Sequence, residues 1–431
     1  MNNYTTVYRM LIRFYFVFLF ALAGIEVVGQ DSLLVTLDSI CPPKDIFQLF
    51  REWRGKPPKP PKSGSLFIVP TIGSNPAMGF MFGIGGQYAF KLSDPVSLYS
   101  LINAGVTFTT KKQIIVQIKN NIYTKNNKFF LSGDWRFLIY SQPTYGLSTK
   151  APEGGILSHQ FSLYGVETGS DSLIQPMKFN FIRFYQTVNM EVKKSFYVGI
   201  GYHLDYHYSI VDEKLDTVNN HFTSHYVYSK KFGFNPEKYK VSGLSINLVY
   251  DTRDNMINAY KGIFANINYR FYPEFLGSQK TGNYWEAEWR SFHGLSKRNP
   301  RHVLGFWVLG SFSPHGEIPY LDLPAVGYDQ RGRSGRGYTQ GRYRGPNMLY
   351  GETEYRFPIS KCSGVLGGVL FANAITADSP DGKVKLFDYT APGYGLGLRI
   401  MVDKASRTNL QVDFGFGKKS SGFYLGASET F

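Results

Sequence analysis

An antiparallel transmembrane β-barrel of about sixteen strands, preceded by a short amphipathic helix, is the all-β fold that this 431-residue chain predicts. Three observations lead there. Stretches of about ten residues alternate apolar with small or polar side chains, the period of a strand with two unlike faces. The composition, with 31 Tyr, 35 Phe and 45 Gly, is that of a β-rich chain rather than a helical one. The connections between alternating stretches sort into long and short ones, as in a barrel with large outer loops and tight inner turns.

Taken in order, residues 1–29 read as a secretory signal peptide. Arg9 and Arg13 precede the apolar run Phe14 to Ala23, and small and polar residues follow at Val28-Gly29-Gln30. The run is short for a spanning helix, and no cysteine stands at the cleavage point to carry a lipid. Residues 30–63 form an extension. Within it Ile46, Phe47, Leu49, Phe50 and Trp53 fall close to helical spacing between Lys44 and Arg54. Such a helix either lies on the membrane or over the barrel mouth, or serves as a plug or docking element. Gly55 ends it, and KPPKPPK at 56–62 reads as a stiff extended linker.

The barrel occupies 64–431. Its strands are expected at 65–72, 78–90, 96–109, 112–124, 128–140, 176–190, 195–209, 240–251, 262–272, 283–295, 302–313, 347–357, 364–375, 388–402, 407–417 and 420–431, with no helix among them. Each is long enough to cross a bilayer when tilted. Ile263, Ala265, Ile267, Tyr269 and Phe271 oppose Asn266, Asn268 and Arg270; Leu410, Val412, Phe414 and Phe416 oppose Asn409, Gln411 and Asp413. Lipid outside and a wet lumen inside satisfy both faces. A soluble sandwich also alternates, but it gives no reason for long links at 141–175, 210–239 and 314–346 to alternate with tight ones such as 191–194 and 403–406.

The net charge of +15 is spread along the chain and comes with no nucleic-acid fold signature, so it reads as a surface facing solvent or lipid phosphate. No nucleophile motif, Walker loop, dinucleotide loop or paired-cysteine metal site is present, so neither enzyme activity nor a cofactor is expected. His203, Asp205 and His207 share one face of the seventh strand, as do Glu286, Glu288 and Arg290 on the tenth. The first group has the residue types of a metal or acid/base site, but polar lumen lining is the favoured reading for both.

The stretch RGRSGRGYTQGRYRGPNMLYGETEYRFPI at 331–359 stands apart. Its first half is a glycine-rich loop carrying five arginines. From Met348 it alternates, with Tyr350, Glu352, Glu354 and Arg356 on the charged face. Arg336-Gly337-Tyr338, followed by the strand ending Glu354-Tyr-Arg-Phe-Pro358, resembles the sixth-loop signature and next strand of the BamA/TamA superfamily of outer-membrane assembly barrels. The Asp251-Thr-Arg-Asp254-Asn turn before Lys261-Gly262 is similar to another segment of that family. The resemblance spans about 244–431. It implies that the loop folds back into the lumen and that Arg336 meets acids on the next two strands. Glu354 matches one of them, and Glu352 is a second lumen candidate. Asn373 stands where the family carries Asp. A buried guanidinium needs carboxylate partners.

Phe423, Leu425, Ala427 and Phe431 are read on one face of the last strand, with Phe423 and Phe431 resembling the C-terminal signal of outer-membrane barrels. Cys41 and Cys362, the two cysteines, are placed on the periplasmic side, either as a disulfide or as two independent thiols. The resemblance implies a member without POTRA domains, exported to the outer membrane of a Gram-negative bacterium. It implies insertion or translocation of proteins, or of lipids, through a weak seam between first and last strands. The partners it implies are outer-membrane lipid, lipopolysaccharide, client barrels or a separate periplasmic helper. A pore plugged by the loop or helix is the alternative.

Overall fold

The structure is a computed structural model that describes residues 42–57, 64–75, 79–92, 97–150, 162–163, 166–167, 174–360 and 362–431. The signal-peptide segment 1–29, most of the linker and Cys41 lie outside them.

Sixteen strands form one antiparallel sheet in which each pairs with its sequence neighbours. The first eight are β1 (Gly64–Asn75), β2 (Gly79–Phe90), β3 (Ser100–Thr109), β4 (Ile114–Tyr123), β5 (Phe129–Thr144), β6 (Gln175–Lys193), β7 (Phe196–Asp212) and β8 (Tyr239–Asp251). The others are β9 (Gly262–Tyr272), β10 (Gly282–Gly294), β11 (Val303–Phe312), β12 (Asn347–Pro358), β13 (Leu366–Ala377), β14 (Ala391–Asp403), β15 (Thr408–Gly417) and β16 (Ser420–Ala427). A two-residue hairpin, 162–163 with 166–167, sits in the loop after β5.

Alternation places the apolar face outward. Leu244, Ile246 and Leu248 of β8, Ile200 of β7, and Tyr394 and Leu396 of β14 are all exposed, as lipid-facing residues are. The opposite faces carry buried charges that are paired: Arg136 with Asp134 at 2.6 Å, Arg183 with Asp205 at 2.7 Å and Arg253 with Asp251 at 2.7 Å. Pairing offsets the large cost of taking such groups out of water.

The short helix α1 (Ile46–Trp53) is capped by Asp45, whose carboxylate accepts from the Gln48 amide at 2.7 Å. It sits at the short-turn rim. The Lys44 amide donates to the Ser363 carbonyl at 2.9 Å, and Lys404 Nζ donates to Gln48 at 2.8 Å. At the same rim, the 252–261 turn is held by Asp254, which accepts from the Tyr260 and Lys261 amides, and by Asn255, which accepts from those of Ile257 and Asn258.

Two expectations are corrected. A helix, α2 (Ser224–Lys231), forms in the long loop after β7. Its buried face includes Ser224, His225 and Ser229 beside Val227 and Tyr228, so it shows no apolar stripe in sequence. It packs with Leu147, Phe234, Ile318, Tyr320 and Leu323 into an apolar dome over the long-loop end, and Lys231 meets Asp381 at 2.5 Å.

The second correction concerns the C-terminus. β16 stops at Ala427, and Ser428 adopts φ +74°, which breaks the alternation. Phe423 points outward, but Phe431 turns into the lumen, 2% exposed, against Phe292 and Trp307. Glu429 explains the break, because strand parity would send its carboxylate outward with Phe423 and Leu425. Instead it accepts from Arg399 Nε at 2.6 Å inside.

Candidate functional site

The loop 313–346 between β11 and β12 folds back into the lumen and bonds to the wall on several sides. Gln142 Nε2 of β5 donates to the Gln340 carbonyl at 2.6 Å, and Gln330 Nε2 donates to Ser132 Oγ at 2.9 Å. The loop also shapes itself. Asp329 accepts from the Ser334 amide at 2.9 Å and hydroxyl at 2.6 Å, while Arg344 Nη1 donates to the carbonyls of Tyr320 and Leu321. Such bonds replace the ladder partners that irregular backbone lacks.

At the loop's deepest point Arg336 is fully buried. Its Nη2 donates to Glu352 Oε1 and Glu354 Oε2, both at 2.5 Å, and its Nη1 to Asp413 Oδ2 at 2.7 Å. Its guanidinium carbon lies 3.5 Å from the ring centre of Phe371. A planar five-donor fork suits this set of acceptors, whereas a point charge would not. The carboxylates have further cations: Arg356 Nε meets Glu354 at 2.7 Å, and Arg399 Nη1 meets Asp413 at 2.5 Å. Tyr350 also donates its hydroxyl to Glu352.

The neighbouring motif residues fix the loop's path. Gly337 has φ +104°, and a Cβ there would come within 2.8 Å of the Phe416 backbone. Its amide donates to Tyr424 Oη at 2.8 Å. Tyr338 Oη donates to the Pro392 carbonyl at 2.5 Å and accepts from the Lys418 amide at 3.0 Å. Asn373 Nδ2 donates to the Arg336 carbonyl at 3.0 Å and more loosely to Glu352. Gly415 of β15 makes room, since a Cβ there would lie 2.6 Å from the Gly337 nitrogen.

The structure thus brings Arg336, Gly337, Tyr338, Glu352, Glu354 and Asn373 together. It adds one carboxylate that the sequence reading left unpaired: Asp413 of β15. With Asn in place of an acid on β13, the third countercharge comes from two strands further on. Asp413 stood on the polar face of its strand, so its orientation was legible while its partner, 77 residues away, was not.

His203, Asp205 and His207 point inward but are held by separate partners. His203 Nε2 bonds Ser245 Oγ at 2.8 Å, Asp205 takes the fork of Arg183, and His207 faces Asp322 of the loop at 3.2 Å. No trio of metal-ligating side chains occurs among the described residues. The space left beside the loop, lined by Arg183, Asp205, Arg270, Glu286 and Asp329, is about 130 Å³. That is below the roughly 300–1,000 Å³ of a small-molecule site.

Cys362 is disulfide-bonded, and its turn is the one that holds Lys44. Phe431, read as a terminal signal, contributes its carbonyl to Arg356 Nη2 at 3.0 Å beside the lock.

No curated protein matches the chain in sequence. Among solved structures, BamA from Haemophilus ducreyi lacking POTRA domains 1–3 superposes with a TM-score of 0.50 at 14% identity, over 86% of this chain and 71% of that one. CdiB from Acinetobacter baumannii gives 0.48 at 12% identity, over 84% and 59%. Residues 144–431 match the Omp85 superfamily domain. That match takes in both the lumen loop and the strands that hold it, and the chain is a sixteen-stranded outer-membrane β-barrel belonging to the Omp85 superfamily.

Proposed function

We propose that this barrel inserts or translocates client proteins at the outer membrane by opening the seam between β1 and β16. One observation carries the reading: the sheet runs from β1 to β16, and among the described residues no backbone ladder joins its two ends. Unpaired strand edges are templates for another strand. The two ends are linked instead by side chains on the lumen side. Gln87 of β2 donates to Thr408 Oγ1 at 3.1 Å and accepts from Ser428 Oγ at 2.6 Å. Two hydrogen bonds of this kind contribute only about 0.5–1.5 kcal/mol each, far less than a ladder.

Among the described residues, loop 313–346 occupies the lumen and leaves about 130 Å³ beside it, Arg336 pins the loop, and helix α2 packs with the loops at the long-loop end. These features favour the seam over a conducting pore. In this reading Arg336, Glu352, Glu354, Asp413 and Asn373 act as a structural lock, with no covalent chemistry. Residues 1–29 direct export, and Cys41 pairs with Cys362 to tie the N-terminal segment to the rim.

The test is a client-insertion assay with the Gln87→Cys, Ser428→Cys double variant in vesicles. Bridging the two thiols with a short cleavable linker is expected to reduce insertion at least tenfold, with recovery on cleavage. Full insertion by the bridged protein would overturn the seam reading. If the unbridged protein folds and no barrel client inserts, a protein-insertion role is excluded.

A further inference from the structure

We propose that the short-turn rim and α1 together form an anionic-phospholipid docking surface, with α1 lying in the bilayer interface beside β13 and β14. The proposal goes beyond the seam and stands or falls apart from it.

The helix has no buried residue, and of its apolar side chains only Leu49 is half-buried while the others are exposed. Phe47, Phe50 and Trp53 are 55%, 49% and 78% exposed, with Ile46 beside them. They recur at the three- and four-residue spacing that puts them on one stripe. The other side is tethered, with Gln48 to Lys404 and the Lys44 backbone to Ser363. These anchors place α1 at the ends of β13 and β14, where Leu366 and Leu398 continue the barrel's lipid-facing surface. The apolar stripe is therefore adjacent to hydrocarbon already in contact with the barrel.

Charge identifies the lipid. The described residues of the seven turns at this rim, 91–92 with 97–99, 124–128, 194–195, 252–261, 295–302, 359–360 with 362–365, and 404–407, hold eleven Lys or Arg against one acid. The described residues 42–57 add four against two. The described residues of the connections at the opposite end hold seventeen against eleven, and five of those seventeen lie in the loop that turns into the lumen. The chain's positive excess is thus concentrated where α1 sits. Lys125, Lys128, Lys194, Lys261, Lys297 and Lys404 are exposed there, whereas Arg253 is committed to Asp251. An apolar stripe rich in aromatics with basic flanks is the pattern of an interfacial helix, and each basic residue near an anionic surface strengthens binding roughly fivefold.

The full chain is reconstituted in vesicles of phosphatidylcholine alone or with about 30% phosphatidylglycerol, a lipid that supplies the anionic charge. A nitroxide is placed through Trp53→Cys, since Cys362 is already bonded, and its collisions with oxygen and with a water-soluble nickel complex are measured. A second label at Ile246→Cys reports the barrel wall. The expected result is a label at 53 that gains oxygen and loses nickel accessibility at least threefold when phosphatidylglycerol is present. Phe47→Asp with Phe50→Asp should return it to water. A label at 53 that stays aqueous in both compositions, while the label at 246 is lipid-exposed, would overturn the proposal. Equal insertion in both compositions would overturn its anionic part. An aqueous label at 246 would instead sink the membrane-barrel reading.

Discussion

Arg336→Ala is expected to lower the stability of the folded barrel by about 3–5 kcal/mol, the range for breaking a buried charge cluster by removing one partner. Among the described residues, Arg336 is the one group that bonds Glu352, Glu354 and Asp413 at once. Without it, the ion pairs left to Glu354, Asp413 and Glu429 among the described residues are those with Arg356 and Arg399, and Glu352 keeps only the neutral donors Tyr350 and Asn373. The penalty comes mainly from the acids left behind rather than from lost contacts. Arg336→Lys keeps the charge but presents one ammonium where three acceptors are arrayed around a planar fork, so it recovers only part of the loss. Urea unfolding followed by tryptophan fluorescence, with cold gel mobility as a check on folding, measures both variants. A change below about 1 kcal/mol, the size of an exposed pair, would mean that the guanidinium is solvated.

The second large effect separates two phenylalanines that look alike in sequence. Phe431→Ala removes a ring packed among Phe292, Trp307 and the Gly305 backbone, and such truncations cost about 3–5 kcal/mol. Phe423→Ala removes an outward, lipid-facing ring 59% exposed from the protein, where no protein cavity is left behind, so a smaller loss of about 1.5 kcal/mol, the ring's transfer alone, is expected. Refolding purified protein into detergent isolates this difference from any part the terminus plays during assembly in the cell. Equal losses for the two would place both rings on the outer face.

The strands were legible because two unlike solvents impose a two-residue period on each of them. The observed ends of β8 and β9 fall within a residue of those expected from that period alone. The Arg336 lock was legible in part, since the loop's glycines and the parity of Glu352 and Glu354 can be read locally. Its third acid could not be: Asp413 announces that it faces inward but nothing about what it meets. The turn of the C-terminus was readable and was missed, because Glu429 cannot share the outward face of Phe423. Helix α2 left no periodic trace, since a dome of loops buries serines and a histidine as readily as Val227.

Both the lock and the seam rest on a lumen that does not conduct. Single-channel recording of the full chain in a planar bilayer tests this most directly, with Arg336→Lys alongside. Silence from the native chain, with brief openings when the fork is replaced, is the predicted result. A steady ohmic current through the native chain, unchanged in the variant, would contradict a sealed lumen pinned by Arg336.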